Sequence, residues 1–419
     1  MSASINETTF LAFLKSYFAN KVVQNSIASK KAPVWMDMPK HSDGGGRKCE
    51  FTQSLKEVFT FSPTFSTAQT LAKNNATSPG LAFAMPWVPL NAPIRVSAEA
   101  EHLSKTDKVA YMTALAEAAA TAQRSFHHAM SILATGTGFG EVSITPITYT
   151  SGASFTIGNG AALKFLEGMA LVASDSIHGD TLRSATAANV TNVDPDTGII
   201  TTDVADLAGT LSWATGDFVF LAGARQNSAT PSRICPVGLR SWIPEVRPVT
   251  DATISTLEGT ARITRSYGQH VDGSSVDDLE ACQRLVTKCV IQGNATDLKL
   301  YVSHGRYDAM ATALRSDQRF VNTTDGNAGF LKLKVNASEL VVPIVADKTI
   351  ENDVGYALQK GSYDIVGAGG EVPHVVSGPG GGWFTVSDDN SKESRLYGLA
   401  ATRVMDPAAC GVVAFADLT

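Results

Sequence analysis

The sequence predicts an α+β fold, and three features of its texture predict it. One long amphipathic helical pattern occupies residues 104–133, β-prone runs precede it, and a Thr-, Gly-, Val- and Asp-rich alternating stretch follows it over 142–228. With 419 residues, 44% hydrophobic and 18% charged, the chain can bury a sizeable core, divided at roughly 100–200 residues per domain.

From the N-terminus, Phe10, Leu14, Tyr17, Phe18 and Lys21–Val22 recur at helical spacing and predict a short amphipathic helix that needs a partner surface. Lys15 and Lys21 make it too charged and too short to span a bilayer, and no basic leader or small-residue cleavage site marks it for export. The following "KKAPVWMDMPKHSDGGGRK", with Pro33, Pro39 and three glycines, reads as an arm.

Residues 49–100 hold two β-prone runs, "CEFTQSLKEVFTFSPTFS" and "LAFAMPWVPLNAPIRVSAE", separated by the polar tip "AKNNATSPG". Pro86, Pro89 and Pro93 exclude a central strand and suit an extended edge. The pair predicts a long two-stranded excursion carrying Phe51, Phe59, Phe61, Phe65, Phe83 and Trp87. A hairpin of that length is marginal alone in water, so its apolar side is expected to lie on another chain.

The long helix opens at "SKTD", where Ser104 can cap and Asp107 sits near the positive helix end. Val109, Met112, Leu115, Ala119, Ala122, Phe126, Met130 and Leu133 hold one face. The glycines of "ATGTGFGE" (134–141) follow this helix, whereas a dinucleotide fingerprint needs them after a strand and ahead of a helix whose amides hold phosphate. Gly136 is therefore expected to be the left-handed residue that ends the helix.

Over 142–228, "VTNVDPDTGIITTD" predicts two strands around a turn set by Pro195 and Gly198. Several short strands at this spacing predict an inserted small barrel or sandwich. Downstream, "SSVDDLEACQRLVTKCVIQG" is a helix with Val276, Leu279, Cys282, Val286 and Cys289 on one face, Ser275 near its cap and Gly293 past its end. "DLKLYVS", "GFLKLKV" and "ELVVPIVAD" read as strands, "GRYDAMATALRSD" as a helix, and "ATRVMDPAACGVVAFADL" as a final extended pair.

The residues that could carry chemistry form no set. Cys49, Cys235, Cys282, Cys289 and Cys410 are odd in number, spread out and never in a CxxC pair, against a disulfide framework or zinc site and for a reduced compartment. His127 and His128 point about 100° apart on the helix and cannot chelate one metal as an i, i+4 pair could, leaving a solvated pair or a lateral contact. A Cys289–His304 nucleophile has nothing in the sequence to assemble it. "DVGYALQKGSYDIVGAGG" and "SGPGGGWF" lack the Lys-Ser/Thr ending of a phosphate loop and read as turns, and Asp194-Pro195-Asp196 lacks the closing glutamate of a calcium loop. Asn75, Asn189, Asn294 and Asn322 match the glycosylation pattern, which without an export signal reads as chance. The net charge of −6 is mixed along the chain, with no basic block to grip nucleic acid. No catalytic, cofactor-binding or metal-binding residue is assigned, and the chain is not expected to be an enzyme.

In this order of elements the chain resembles the major capsid proteins of tailed bacteriophages, of the Hong Kong 97-like fold. The resemblance rests on "GGGRKCEF" opening the extended loop, "VSAEAEHLSKTDKVAYMTALAEAAATAQRSFHHAMSILATG" as the spine, and "DLKLYVSHGRYDAMATALRSDQRF" with "LVVPIVADKTIENDVGYAL" later on. "KFLEGMALVASDSIHGDTLRSATAANVTNVDPDTGIITTD" with "WATGDFVFLAG" is similar to the β-rich insertion that some of these proteins carry.

The resemblance implies an N-terminal arm (1–48), an extended two-stranded loop (49–101), the spine helix of the peripheral domain (102–141), an inserted β-rich domain (142–228), a peripheral and axial region (229–400) and final peripheral strands (401–419). It implies self-assembly through pentamers and hexamers into an icosahedral shell around double-stranded DNA, bound without sequence specificity, in the virion and, during assembly, the host cytoplasm. Scaffolding, portal and decoration proteins are the implied partners, with no membrane and no cofactor. With about forty residues ahead of the loop, a separate scaffold or none is expected. Some family members crosslink Lys to Asn; Lys56 and Lys73 lie in the loop that would carry the lysine, without a local motif for the partner. The alternatives are an encapsulin-like nanocompartment shell, against which the insertion argues, and a two-domain soluble enzyme, for which no acid–base pair is visible.

Overall fold

A computed structural model describes residues 3–5, 32–46, 48–54, 61–74, 80–96, 108–177, 182–225, 234–246, 268–317, 333–337, 339–368, 372, 374–376, 384–385 and 392–416. The expected N-terminal helix over Phe10–Val22, the Ser104/Asp107 cap and Lys56 lie outside these residues. So do the side chains of Val109, Met112 and Leu115.

In chain order the elements are β1 (Ala3–Ile5), α1 (Pro33–Asp37), β2 (Lys40–Gly44), β3 (Lys48–Ser54), α2 (Phe65–Asn74), β4 (Gly80–Pro86), β5 (Val88–Val96) and α3 (Lys108–Thr135). There follow β6 (Thr148–Ser151), β7 (Ser154–Thr156), α4 (Asn159–Ala162), β8 (Ala170–Ser174), β9 (Ala188–Asp194), β10 (Ile199–Thr202), α5 (Leu207–Leu211), β11 (Phe218–Leu221) and α6 (Leu239–Trp242). The chain continues through β12 (Gln269–Gly273), α7 (Asp278–Gly293), β13 (Leu298–Val302), α8 (His304–Asp317), β14 (Lys334–Ala337), β15 (Leu340–Ala346), β16 (Val354–Gln359) and β17 (Tyr363–Ala368). It ends with β18 (His374–Val376), β19 (Phe384–Thr385), β20 (Lys392–Val404), a 3-10 turn (Pro407–Ala409) and β21 (Gly411–Phe415). The mixture is α+β, as the sequence predicts.

Among the described residues the strands form three sheets and one separate ladder. The first sheet runs β1-β5-β20-β17-β2, with β18 and β19 also on β20; the second runs β11-β8-β9-β10-β7-β6; the third runs β12-β21-β16-β13-β15-β14; and β3 pairs with β4 alone. The spine helix α3 lies against the first sheet. Its faces follow the 3.6-residue period: Ala122, Phe126, Met130 and Leu133 are buried. Phe126, Met130 and Leu133 share a core with Trp35, Trp242, Tyr356 and Val404, while Ile132 points into the second sheet's core with Phe155, Phe165 and Trp213. The last turn of one helix thus plugs two cores.

The second sheet falls within the stretch expected to be inserted. The Asp194–Gly198 turn is built as expected: Asp194 accepts from the backbone N–H of Asp196 and from the hydroxyl of Thr197, and Gly198 takes φ +72°. Outside the six strands, residues 140–147 run beside β11: Val142 N donates to Val219 O (2.9 Å), Leu221 N to Gly140 O (3.0 Å) and Ile147 N to Asp217 O (2.8 Å). This segment leads directly into β6, the opposite edge of the sheet.

Several expectations need correction. Gly136 does not have positive φ; Gly138 (φ +92°) and Gly140 (φ +86°) do. Gly136 is needed for close approach instead, since a Cβ there would stand 2.7 Å from Glu141 Oε1. In the first β-prone run Lys48–Ser54 is a strand and residues 55–60 lie outside the described residues, while Phe65–Asn74 is helical despite its β-favouring Phe and Thr residues. The second run divides at Trp87: β4 returns beside β3, whereas β5 joins the first sheet through nine successive pairs with β20.

There β5 is flanked on both sides, because β1 pairs with it at Ile94–Val96. Pro89 and Pro93 are four apart, so their missing N–H groups fall on one side, and the unbroken ladder places that side away from β20. "DVGYALQKGSYDIVGAGG" forms β16 and β17, and among its described glycines Gly361, between the two strands, is the turn maker with positive φ (+80°). The final extended pair is no pair, since β20 enters the first sheet and β21 the third. Helix α7 is capped by Asp277, not Ser275, and ended by left-handed Asn294, with Gly293 still helical.

Candidate functional site

Among the described residues a buried constellation of ionisable side chains sits where the spine ends, and it draws on three parts of the chain. Glu351 comes from the β15–β16 connection, Lys164 follows α4 beside the second sheet, and Arg240 lies on α6. Lys164 Nζ is 2.6 Å from Glu351 Oε1, which also accepts from Ser143 Oγ (2.9 Å) and Ile144 N (3.1 Å). Thr145 Oγ1 donates to Glu351 Oε2 at 3.0 Å, with Arg240 3.9 Å from the same oxygen. Arg240 also pairs with Asp353 (3.1 Å) and Glu245 (2.9 Å).

Glu351 is buried (3% exposed), and burial by itself would raise its carboxyl; the charges of Lys164 and Arg240 and the hydrogen bonds outweigh that and hold it at about 2. A carboxylate so saturated with donors is a poor general base. Its arrangement instead clamps the second sheet to the β15–β16 connection.

The second layer of the joint is built on α3. His128, buried, donates from Nε2 to Lys164 O (2.8 Å) and accepts at Nδ1 from Lys348 Nζ (3.1 Å), which fixes the neutral Nε2–H tautomer. Burial, then the Lys348 charge, lowers its pKa to about 4. His127 accepts at Nδ1 from Trp35 Nε1 (3.2 Å), and Lys40 lies 4.8 Å from the Trp35 ring centre. Neither histidine is the solvated member of a pair: His128 locks the joint, and His127 ties α1 to the spine. Asp347 accepts from Val34 N (2.7 Å) and from both N–H and hydroxyl of Thr349, fastening the arm to the same connection.

Glu141, the last residue of "ATGTGFGE", turns back so that its Oε1 accepts from Thr137 N. The glycines wrap a carboxylate of their own chain. At α6, Gly238 packs directly on the carbonyl end of α3, where any Cβ would collide with Leu133 and Gly136 backbone.

The cysteines are small hydrophobes, all five free and buried. Burial pushes Cys235 and Cys410 up to about 12 and Cys282 and Cys289 higher still. Cys289 is wholly buried while His304 is exposed, so the two are not brought together as a nucleophile and base. Among the described residues no cluster of three His, Cys, Asp or Glu side chains could hold a metal, and no helix is long and apolar enough to cross a membrane.

The other unusual feature is a surface. The β3–β4 ladder is rooted in the main core by Cys49, Phe51 and Met85, with Phe51 5.9 Å from Trp242 between ring centres. Beyond that root, none of the side chains described on α2 is buried; Phe61 and Phe65 are 71% and 78% exposed, and Lys73 is exposed near the end of the helix.

No protein-family model matches the sequence, and no curated protein matches it. Among solved structures the chain is similar to one from the cyanophage A-1(L) capsid asymmetric unit, at 12% identity and a TM-score of 0.49, covering 94% of this chain and 96% of that one. The capsid of a native GTA particle matches at 11% identity and a TM-score of 0.46, over 99% of this chain and 100% of that one. A chain of Mycobacterium phage Adephagia matches at 11% identity and a TM-score of 0.39, over 96% and 97%.

Proposed function

We propose that this protein is a shell subunit: a major capsid protein that assembles through pentamers and hexamers into the icosahedral shell around the double-stranded DNA of a tailed bacteriophage. The observation that carries the reading is the projecting β3–β4 ladder with α2 at its far end. A 10-residue helix with no buried side chain among those described, on a two-stranded ladder outside every sheet, is marginal in isolation. Such a part is stable when a neighbouring copy covers it, and head-to-tail contacts of that kind close into rings and shells.

In this reading 1–48 is the arm, 49–101 the extended loop, 102–141 the spine, 142–228 an inserted small barrel whose closure is supported by the 140–147 hydrogen bonds, 229–400 the peripheral and axial region and 401–419 the last peripheral strands. The arrangement is Hong Kong 97-like, the work is structural rather than catalytic, and the location is the virion. DNA is held without sequence specificity, consistent with a net charge of −6 that keeps the wall from gripping it. Portal, scaffolding and decoration proteins are its further partners.

Size-exclusion chromatography with negative-stain microscopy tests the proposal. Particles tens of nanometres across, protecting DNA from nuclease when made in infected cells, are expected. A stable monomer or dimer at every concentration overturns it, and particles that never enclose DNA favour the nanocompartment instead.

A further inference from the structure

The polar joint holds two groups that the clamp does not use. Glu141 is 2% exposed; its Oε1 accepts from Thr137 N, yet its Oε2 is buried without a hydrogen-bond partner among the described residues. Tyr356, 1% exposed, has its hydroxyl in the same condition. Both residues line one small cavity, together with Lys164, Arg240, Ser143 and Glu351. Two orphaned polar atoms in so buried a place are costly, because each has given up its hydrogen bonds to water without a replacement.

The cavity has about 10 Å³ of room for water centres, close to the least that holds one water molecule and too little for a larger guest. Its charges also select the guest. Two carboxylates and two cationic side chains line it, so neither a cation nor an anion is favoured as a whole. Burial raises the Tyr356 phenol, so its O–H stays protonated and needs an acceptor, while Glu141 Oε2 needs a donor. One molecule that both accepts and donates meets the two demands.

We infer that the joint binds a single structural water that accepts from the Tyr356 hydroxyl and donates to Glu141 Oε2, joining the "ATGTGFGE" loop to β16. The inference rests on the cavity and its two orphaned groups and stands whether or not the protein forms shells. The water completes a joint in which the spine, the second sheet and the third sheet meet, and its bonds can be remade at a slightly different angle where a direct side-chain contact would break.

A structure of the intact protein at a resolution that shows ordered solvent tests this directly. A density peak within hydrogen-bond distance of both Glu141 Oε2 and Tyr356 Oη is expected; a cavity without density, or a direct Glu141–Tyr356 contact, overturns the inference. A double-mutant cycle with Glu141→Gln, Tyr356→Phe and the pair gives an independent readout. Coupling is expected, with the double variant's thermal midpoint lying above the sum of the single losses, and strict additivity counts against a shared water.

Discussion

Lys164 Nζ lies 2.6 Å from Glu351 Oε1, and the two side chains are only 7% and 4% exposed, so a single ion pair ties two cores together out of reach of solvent screening. Removing Lys164 leaves the buried Glu351 charge with Arg240, 3.9 Å away, as its remaining cationic partner. Lys164→Met is expected to lower unfolding free energy by about 3–5 kcal/mol in denaturant titration. Adding Glu351→Gln to that variant should recover part of the loss, because the carboxamide oxygen still accepts from Ser143 and Ile144 without an unpaired charge.

The joint also predicts two acid transitions, separable by mutation. The His128 pKa is depressed from 6.5 to about 4, so the unfolded chain takes up a proton before the folded one, and stability falls as pH drops from about 6.5 towards 4. Glu351 is depressed from 4.5 to about 2, so the stability it contributes is complete above about 4.5 and is lost as pH falls through 2. Thermal midpoints measured across pH should show that Glu351→Gln flattens only the lower window and His128→Gln only the upper one.

Gly136→Val sets a Cβ 2.7 Å from Glu141 Oε1 and forces the loop off its own carboxylate. A destabilisation of about 1–3 kcal/mol is expected, the range for overpacking a tight site. Gly238→Ala should be worse, since its Cβ meets backbone at the end of α3 that cannot rotate away. Differential scanning calorimetry of the two variants checks the order.

What the sequence made legible was whatever repeats with a local period. Ala122, Phe126, Met130 and Leu133 announce the spine because each turn of the helix must face the same core, and Cys282, Val286 and Cys289 do the same for α7. The joint was illegible for the opposite reason. Lys164 and Glu351 are 187 residues apart, and "VADKTIEND" has loop texture because its Asp347, Lys348 and Glu351 are buried against Val34, His128 and Lys164, partners far away in the sequence that no periodicity reports. The trace it leaves is a polar run set between two apolar ones, "LVVPIV" and "VGYAL". Helix α2 escaped notice because it is only ten residues long: Phe65, Ala68, Leu71 and Ala72 do fall on one side at helical spacing, but the Phe and Thr residues of the run favour a strand.

The thiols offer a check on the cores. With Cys49, Cys235, Cys282, Cys289 and Cys410 all buried and free, a thiol-specific chromogenic reagent should titrate essentially none in native protein and all five after denaturation. Rapid labelling of Cys282 or Cys289 under native conditions would contradict the packing of α7 on the third sheet.

Phe61 and Phe65 separate assembly from folding. They are 71% and 78% exposed, just before and at the start of a helix with no buried side chain among those described, so replacing both by Ser removes little from the isolated subunit, within about 0.5 kcal/mol for exposed positions. In the proposed shell the same rings would lie against a neighbouring copy, where burying one aromatic side chain contributes roughly 1.5–3 kcal/mol. That energy recurs at every contact of a closed particle. Phe61→Ser with Phe65→Ser is therefore expected to leave the monomer's thermal midpoint unchanged while raising the concentration needed for particles at least tenfold by light scattering. Equal loss of monomer stability would mean that the two rings serve the subunit's own fold, and unimpaired assembly would mean that the ladder's contact lies elsewhere on its surface.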